Sequence, residues 1–147
     1  MGADYSGSVD TVARMLKGQV PAVPRLCFAI VDIRDLVDLH MRAMTDARAV
    51  GERFIATSES LWMLQIADVL REHLGDRAAK VPKAEAPDAM IRLAAVANPE
   101  LRQILPGLGV RREFTSAKAE QLLGWRARPA RNSIIDAADS LIAAGLV

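Results

Sequence analysis

Chemically capable side chains are few in this sequence of 147 residues: two histidines (His40 and His73), one cysteine (Cys27) and one tyrosine (Tyr5). Neither histidine has a second ligand at metal spacing, and a lone cysteine forms neither an internal disulfide nor a cysteine cage for a metal. A tyrosine–lysine acid/base pair needs lysine four residues after tyrosine on one helix face. The residue four after Tyr5 is Val9. Without Gly-x-Ser-x-Gly, no serine reads as an activated nucleophile. His40 reads as a partly buried structural histidine and His73 as a solvated cation near a helix C-terminus. Asp32, Asp35 and Asp38 resemble paired carboxylates, but capping and dipole complementarity explain at least two of them.

Two further clusters fail the same test. Gly107-Leu108-Gly109 lacks the third glycine of a dinucleotide-binding loop, because Arg112 stands there, and it follows a proline rather than a strand. It reads as a helix-terminating turn. Arg126, Arg128 and Arg131 could bind a phosphate, yet with a formal net charge of +1 a solvated surface turn is the simpler reading. The same near-neutral charge gives no electrostatic case for nucleic acid or an anionic membrane. No apolar run approaches the roughly 20 residues of a membrane-spanning helix, and no signal peptide is evident. A soluble, cytoplasmic chain is expected. The hydrophobic fraction of 51% suits one folded domain.

The elements that must carry these residues are mostly helical. A first helix follows Ser8 as N-cap and ends at Gly18, with Val12, Met15 and Leu16 on its apolar face. Cys27 to Val31 reads as a buried strand. A helix from about Arg34 to Asp46 follows, with Leu36, His40, Met41 and Met44 on one side and the methionines as core filling. Arg53 to Thr57 reads as a second strand. Ser58 or Ser60 then caps the strongest helix, which ends at Gly75. A linker over 76–87 precedes two short helices at 87–97 and 99–105, with Pro99 in a first-turn position. Further helices run from Ser116 to Gly124 and from about Asn132 to Gly145. Two strands without a hairpin imply further strands elsewhere, because buried backbone groups need partners.

Taken in order, several segments resemble one family. Phe28-Ala-Ile-Val-Asp-Ile-Arg-Asp-Leu-Val-Asp-Leu-His40 resembles the strand and helix that open the C-terminal region of extended short-chain dehydrogenases/reductases. The nearest subgroup is the NAD-dependent epimerase/dehydratase and dihydroflavonol-reductase-like proteins. Gly51-Glu-Arg-Phe-Ile-Ala-Thr57 is similar to that family's next strand, and Ser116-Ala-Lys-Ala-Glu-Gln-Leu-Leu-Gly-Trp125 to a segment near its C-terminus. The resemblance spans essentially the whole chain, 1–147, which matches less than the C-terminal half of a family member.

That resemblance implies an α/β, helix-rich fold: the C-terminal part of a Rossmann-type enzyme, with two short strands and about six helices. It further implies that the cofactor-binding half, with its glycine-rich loop and catalytic Tyr-x-x-x-Lys, lies outside this chain. No catalytic or cofactor-binding residue therefore carries over. NAD or NADP would belong to the intact protein, and none is expected to bind this chain alone. What carries over is the substrate side: Tyr5, Leu26, Cys27, Phe28 and Ala29 as substrate contacts, whose apolar character suits a hydrophobic aldehyde or ketone. The expected partner is a small carbonyl or alcohol substrate, with self-association through exposed apolar surface. The alternative is a non-catalytic interaction or regulatory module that pairs with another chain.

Overall fold

A computed structural model describes residues 7–147. Two hydrophobic cores organise them. The larger is built by three helices: α1 (Gly7–Leu16), α3 (Met63–Leu74) and α7 (Ala130–Ala143). Met15, Leu70, Ala67 and Ala138 are fully buried there, and Val23 and Val81 fill it from the connecting segments. Apolar residues at helical spacing place one face of each helix in this core.

The smaller core gathers Leu39 of α2 (Ile33–Thr45), Ala49 of a 3₁₀ turn, and Ala119 and Leu123 of α6 (Ala117–Leu123) around Trp125. Gly124, at φ +62°, ends α6 in the left-handed region and turns the chain so that Trp125 folds back into this core. Two short helices, α4 (Asp88–Ala94) and α5 (Pro99–Ile104), complete seven α-helices among the described residues. Asn98 caps α5 with its side chain, and Pro99 takes the first-turn place expected of it.

The strands depart from expectation. β1 (Cys27–Ile30) pairs antiparallel with β2 (Glu59–Trp62), Cys27 opposite Trp62 and Ile30 opposite Glu59. The second strand thus lies six residues beyond the predicted start at Arg53, because backbone partners decide where a ladder forms and propensity does not. Ser58 and Ser60 do not cap α3. The Ser58 amide and hydroxyl both donate to the Ile30 carbonyl, and Ser60 sits within β2. The helix begins one strand later, where Gln65 Oε1 accepts from the Trp62 amide at 2.8 Å. β1 is not buried either: Phe28 and Ala29 are exposed.

Ser8 lies inside α1 rather than at its cap, since the helix is already formed at Gly7. The 76–87 segment is no free linker, because Val81 is buried and the Val23 amide donates to Ala84 O at 3.1 Å. Met41 and Met44 are not core filling. α2 turns Asp35 and Leu39 inward and leaves both methionines exposed.

Candidate functional site

The start of β1 forms one wall of an open cleft of about 220 Å³. Leu26, Cys27 and Phe28 line that side. Opposite them stand Gln103 and Ile104 at the end of α5, and Val110 and Arg112 in the irregular segment beyond it. The two walls are joined at one point, where the Gly109 amide donates to Arg25 O at 2.7 Å. Gly109 has φ +74°, and a Cβ there would stand 2.6 Å from the Arg25 guanidinium. That guanidinium is itself held by Asp88 at 2.6 Å. From the other side, the Met63 amide donates to Leu26 O at 2.9 Å, which fixes the strand entry against α3.

Close packing against Arg25 also answers the dinucleotide question for Gly107–Gly109. The space above Gly109 is filled by a side chain, and no helix starts there to offer free amides to a pyrophosphate. The segment does not fit the pyrophosphate of NAD or NADP.

Farther along, the N-terminus of α2 is clamped to the chain end. Asp32 caps the helix, its Oδ1 accepting from the Arg34 amide at 2.9 Å, and Ser133 Oγ donates to its Oδ2 at 3.0 Å. Asp35 is buried and accepts three kinds of hydrogen bond from Arg128: from the backbone amide at 2.8 Å, and from Nε and a terminal nitrogen of the guanidinium at 2.8–3.1 Å. The Trp125 indole N–H donates to the Asp35 carbonyl at 2.8 Å, so a fully buried aromatic ring also has its polar end satisfied. The Arg34 side-chain hydrogen bonds hold the Asp32 carboxyl well below the usual carboxylate range. Those from Arg128 lower Asp35 likewise, against the opposing effect of burial.

The arginine cluster and the histidines are thereby placed. Arg128 is a structural clamp rather than a solvated surface residue, while Arg126 pairs with Glu120 and Arg131 with Glu72. Sequence spacing could not show these partners, which lie on other helices. A second depression of about 450 Å³ beside them is lined by Glu59, Glu120, Arg126 and Arg128, charges already committed to partners inside the chain. His40 is exposed, its Nδ1 2.7 Å from Leu36 O, and is not the partly buried histidine expected. His73 is no free cation: its Nε2 lies 3.0 Å from both carboxylate oxygens of Asp139. No group of three or more metal-ligating side chains occurs among the described residues.

Of the five expected substrate contacts, Leu26, Cys27 and Phe28 line the cleft. Ala29 is exposed one residue beyond it, and Tyr5 lies outside the described residues. Gln103, Ile104, Val110 and Arg112 were not anticipated. The only sequence signal for them is the pair of glycines at 107 and 109, which marks a turn but not what the turn packs against. The cleft offers apolar walls with one amide and one guanidinium at its margin. Among the described residues Arg112 has no ion-pair or hydrogen-bond partner. Such a site can hold a small ligand with an apolar body, but it places no base against Cys27.

No protein-family model matches the sequence, and no curated protein does. Solved structures do match. One is the crystal structure of gox2253, at TM-score 0.74 and 22% identity over 97% of this chain and 45% of that one. Another is the yeast methylglyoxal/isovaleraldehyde reductase Gre2 complexed with NADPH, at TM-score 0.68 and 21% identity over 95% of this chain and 37% of that one. The helix-rich fold with its two-stranded sheet matches the C-terminal part of a short-chain dehydrogenase/reductase-like fold. The chain spans less than half the length of either structure. No described helix is long and apolar enough to cross a membrane.

Proposed function

We propose that this chain is the substrate-pocket portion of an NAD(P)-dependent oxidoreductase acting on a carbonyl or alcohol group, inactive without a cofactor-binding portion. The observation that carries this reading is the cleft at Leu26–Phe28, on a fold shared with an NADPH-complexed reductase. Within it, Leu26, Phe28, Ile104 and Val110 would hold the apolar body of a small aldehyde or ketone. Gln103 and Arg112 could donate to an oxygen of the same molecule. Hydride and the proton-donating tyrosine would come from the cofactor-binding portion.

Two measurements test it. Calorimetric titration of the chain with NADPH should give no low-micromolar binding, and such binding would sink the proposal. With isovaleraldehyde as probe, NMR shifts should concentrate at residues 26–28 and 104–112. They should vanish in Val110→Trp, which fills the cleft. Shifts spread over the surface, or unchanged in that variant, refute the pocket assignment.

A second reading, a non-catalytic interaction module, is favoured by the exposed apolar face of α2. Light scattering and thermal unfolding discriminate: a clean monomer with cooperative unfolding contradicts the need for a partner.

A further inference from the structure

The lining of the cleft at Leu26–Phe28 carries a single charge. Arg112 supplies it, and no aspartate or glutamate stands among the residues that form the walls. Most guanidinium groups of this chain are engaged, among them Arg25 by Asp88, Arg111 by Glu113 and Arg128 by Asp35. Among the described residues, the side chains of Arg53, Arg77, Arg92 and Arg112 have no ion-pair or hydrogen-bond partner. Of these only Arg112 lines either cleft.

Local structure explains why this guanidinium stays uncommitted. The Gly109 amide anchors the segment to Arg25 O, and Arg112 follows shortly after. Its sequence neighbours Arg111 and Glu113 pair with each other at 3.0 Å, so the nearest carboxylate in sequence is taken. Asp88 is likewise held by Arg25. A cation beside Leu26, Phe28, Ile104 and Val110 meets walls of low polarity, which strengthen its attraction for an anion above that on an open surface. In the second depression the arginines have carboxylates of their own. Here the counter-charge has to come with the ligand.

We propose that the cleft takes a carbonyl compound that also bears a carboxylate, an oxo acid, and that Arg112 is the residue that selects for the acid. This selectivity rests on the functional reading above, whose site it refines. Leu26, Phe28, Ile104 and Val110 receive the apolar body, while the planar fork of Arg112 pairs with the carboxylate oxygens. Gln103 is left to donate its amide to the carbonyl oxygen. One guanidinium balances one carboxylate. A phosphate would need further donors, and no second cation lines this cleft.

The test is NMR titration of the full chain with probes of one branched skeleton: isovaleraldehyde, α-ketoisocaproate and the methyl ester of that oxo acid. Acid and ester should both shift residues 26–28 and 104–112, with the acid binding about fivefold tighter, the upper range of an exposed ion pair. Added salt should narrow that gap and leave the affinity of the ester alone. Arg112→Gln should bring the acid down to the affinity of the ester, with the ester and the melting temperature unchanged. Arg112→Lys should recover part of the difference. Equal affinities for acid and ester overturn the role of Arg112, as does an acid preference that survives Arg112→Gln. Cleft shifts from inorganic phosphate as strong as those from the acid overturn it too, the site then being one for anions in general. So does a joint loss of acid and ester binding in Arg112→Gln, the side chain then being only part of the wall. Cleft shifts from isovaleraldehyde and ester without preference for the acid keep the carbonyl pocket and refute the selectivity. Acid bound through Arg112 while neither neutral probe shifts the cleft supports the selectivity and refutes the carbonyl pocket. No cleft shift with any probe refutes both.

Discussion

At the scale of single residues, charge is spent on holding one junction in place. Asp35 sits at the smaller core with Arg128 and Trp125 as its partners, and each group satisfies another that would be costly to bury alone. Arg128→Ala leaves the buried Asp35 carboxylate with only the backbone amide of residue 128 to pair with, so a lower denaturation midpoint in urea is expected. Lowered carboxyl pKa values have a definite sign in acid. The stabilisation from Asp32 and Asp35 is complete above the ordinary aspartate value of about 3.9, and it is lost as pH falls from there toward their lowered folded values. Melting temperature should therefore be level from pH 7 to about 5 and drop below about 4. In Arg128→Ala that drop should be shallower, because Asp35 then titrates closer to its unfolded value. An equal drop in both proteins would show that Asp35 is not the group responsible.

Elements differ in how far their sequences disclose them. Helices α1, α3, α6 and α7 were legible because each has a repeating apolar face and a terminating glycine or proline. Residues 53–57 have the composition of a strand but form none, β2 lying at Glu59–Trp62. They lack the neighbour that would make them a ladder, and pairing is not written in local sequence. Side-chain exposure on α2 failed for a related reason. Its stripe Ile33–Met44 has helical periodicity, yet periodicity cannot say whether the covering surface belongs to the same polypeptide. The cleft was half legible: Leu26, Cys27 and Phe28 came from resemblance, whereas Gln103 to Arg112 depend on a contact between residues 25 and 109. That contact gives the prediction belonging to this scale. Gly109→Ala requires an alanine at positive φ with its methyl against the Arg25 guanidinium. A loss of at least ~1 kcal/mol and weaker isovaleraldehyde shifts should appear together in one NMR and denaturation experiment.

For the whole molecule, the two cores make separable demands. The larger is closed by α1, α3 and α7, with Leu70 wholly buried at its centre. Leu70→Ala should cost about 2–5 kcal/mol and unfold the chain cooperatively, as seen in calorimetry. The smaller core is thinner and open on the α2 and 53–57 sides, so its amides should exchange before those of the larger core in the lone chain. Equal exchange in both would show a single cooperative unit.

The Asp35–Arg128 clamp joins positions 93 residues apart. During synthesis α2 is complete long before Trp125 and Arg128 exist. At about 5–20 residues per second, the helix waits roughly 5–20 s for the groups that bury its inner face. Through that interval both faces of α2, the apolar stripe and the side that Trp125 later covers, are open to ribosome-associated chaperones. The order of the sequence thus leaves the inner face of α2 uncovered until the segment carrying Trp125 and Arg128 has been made.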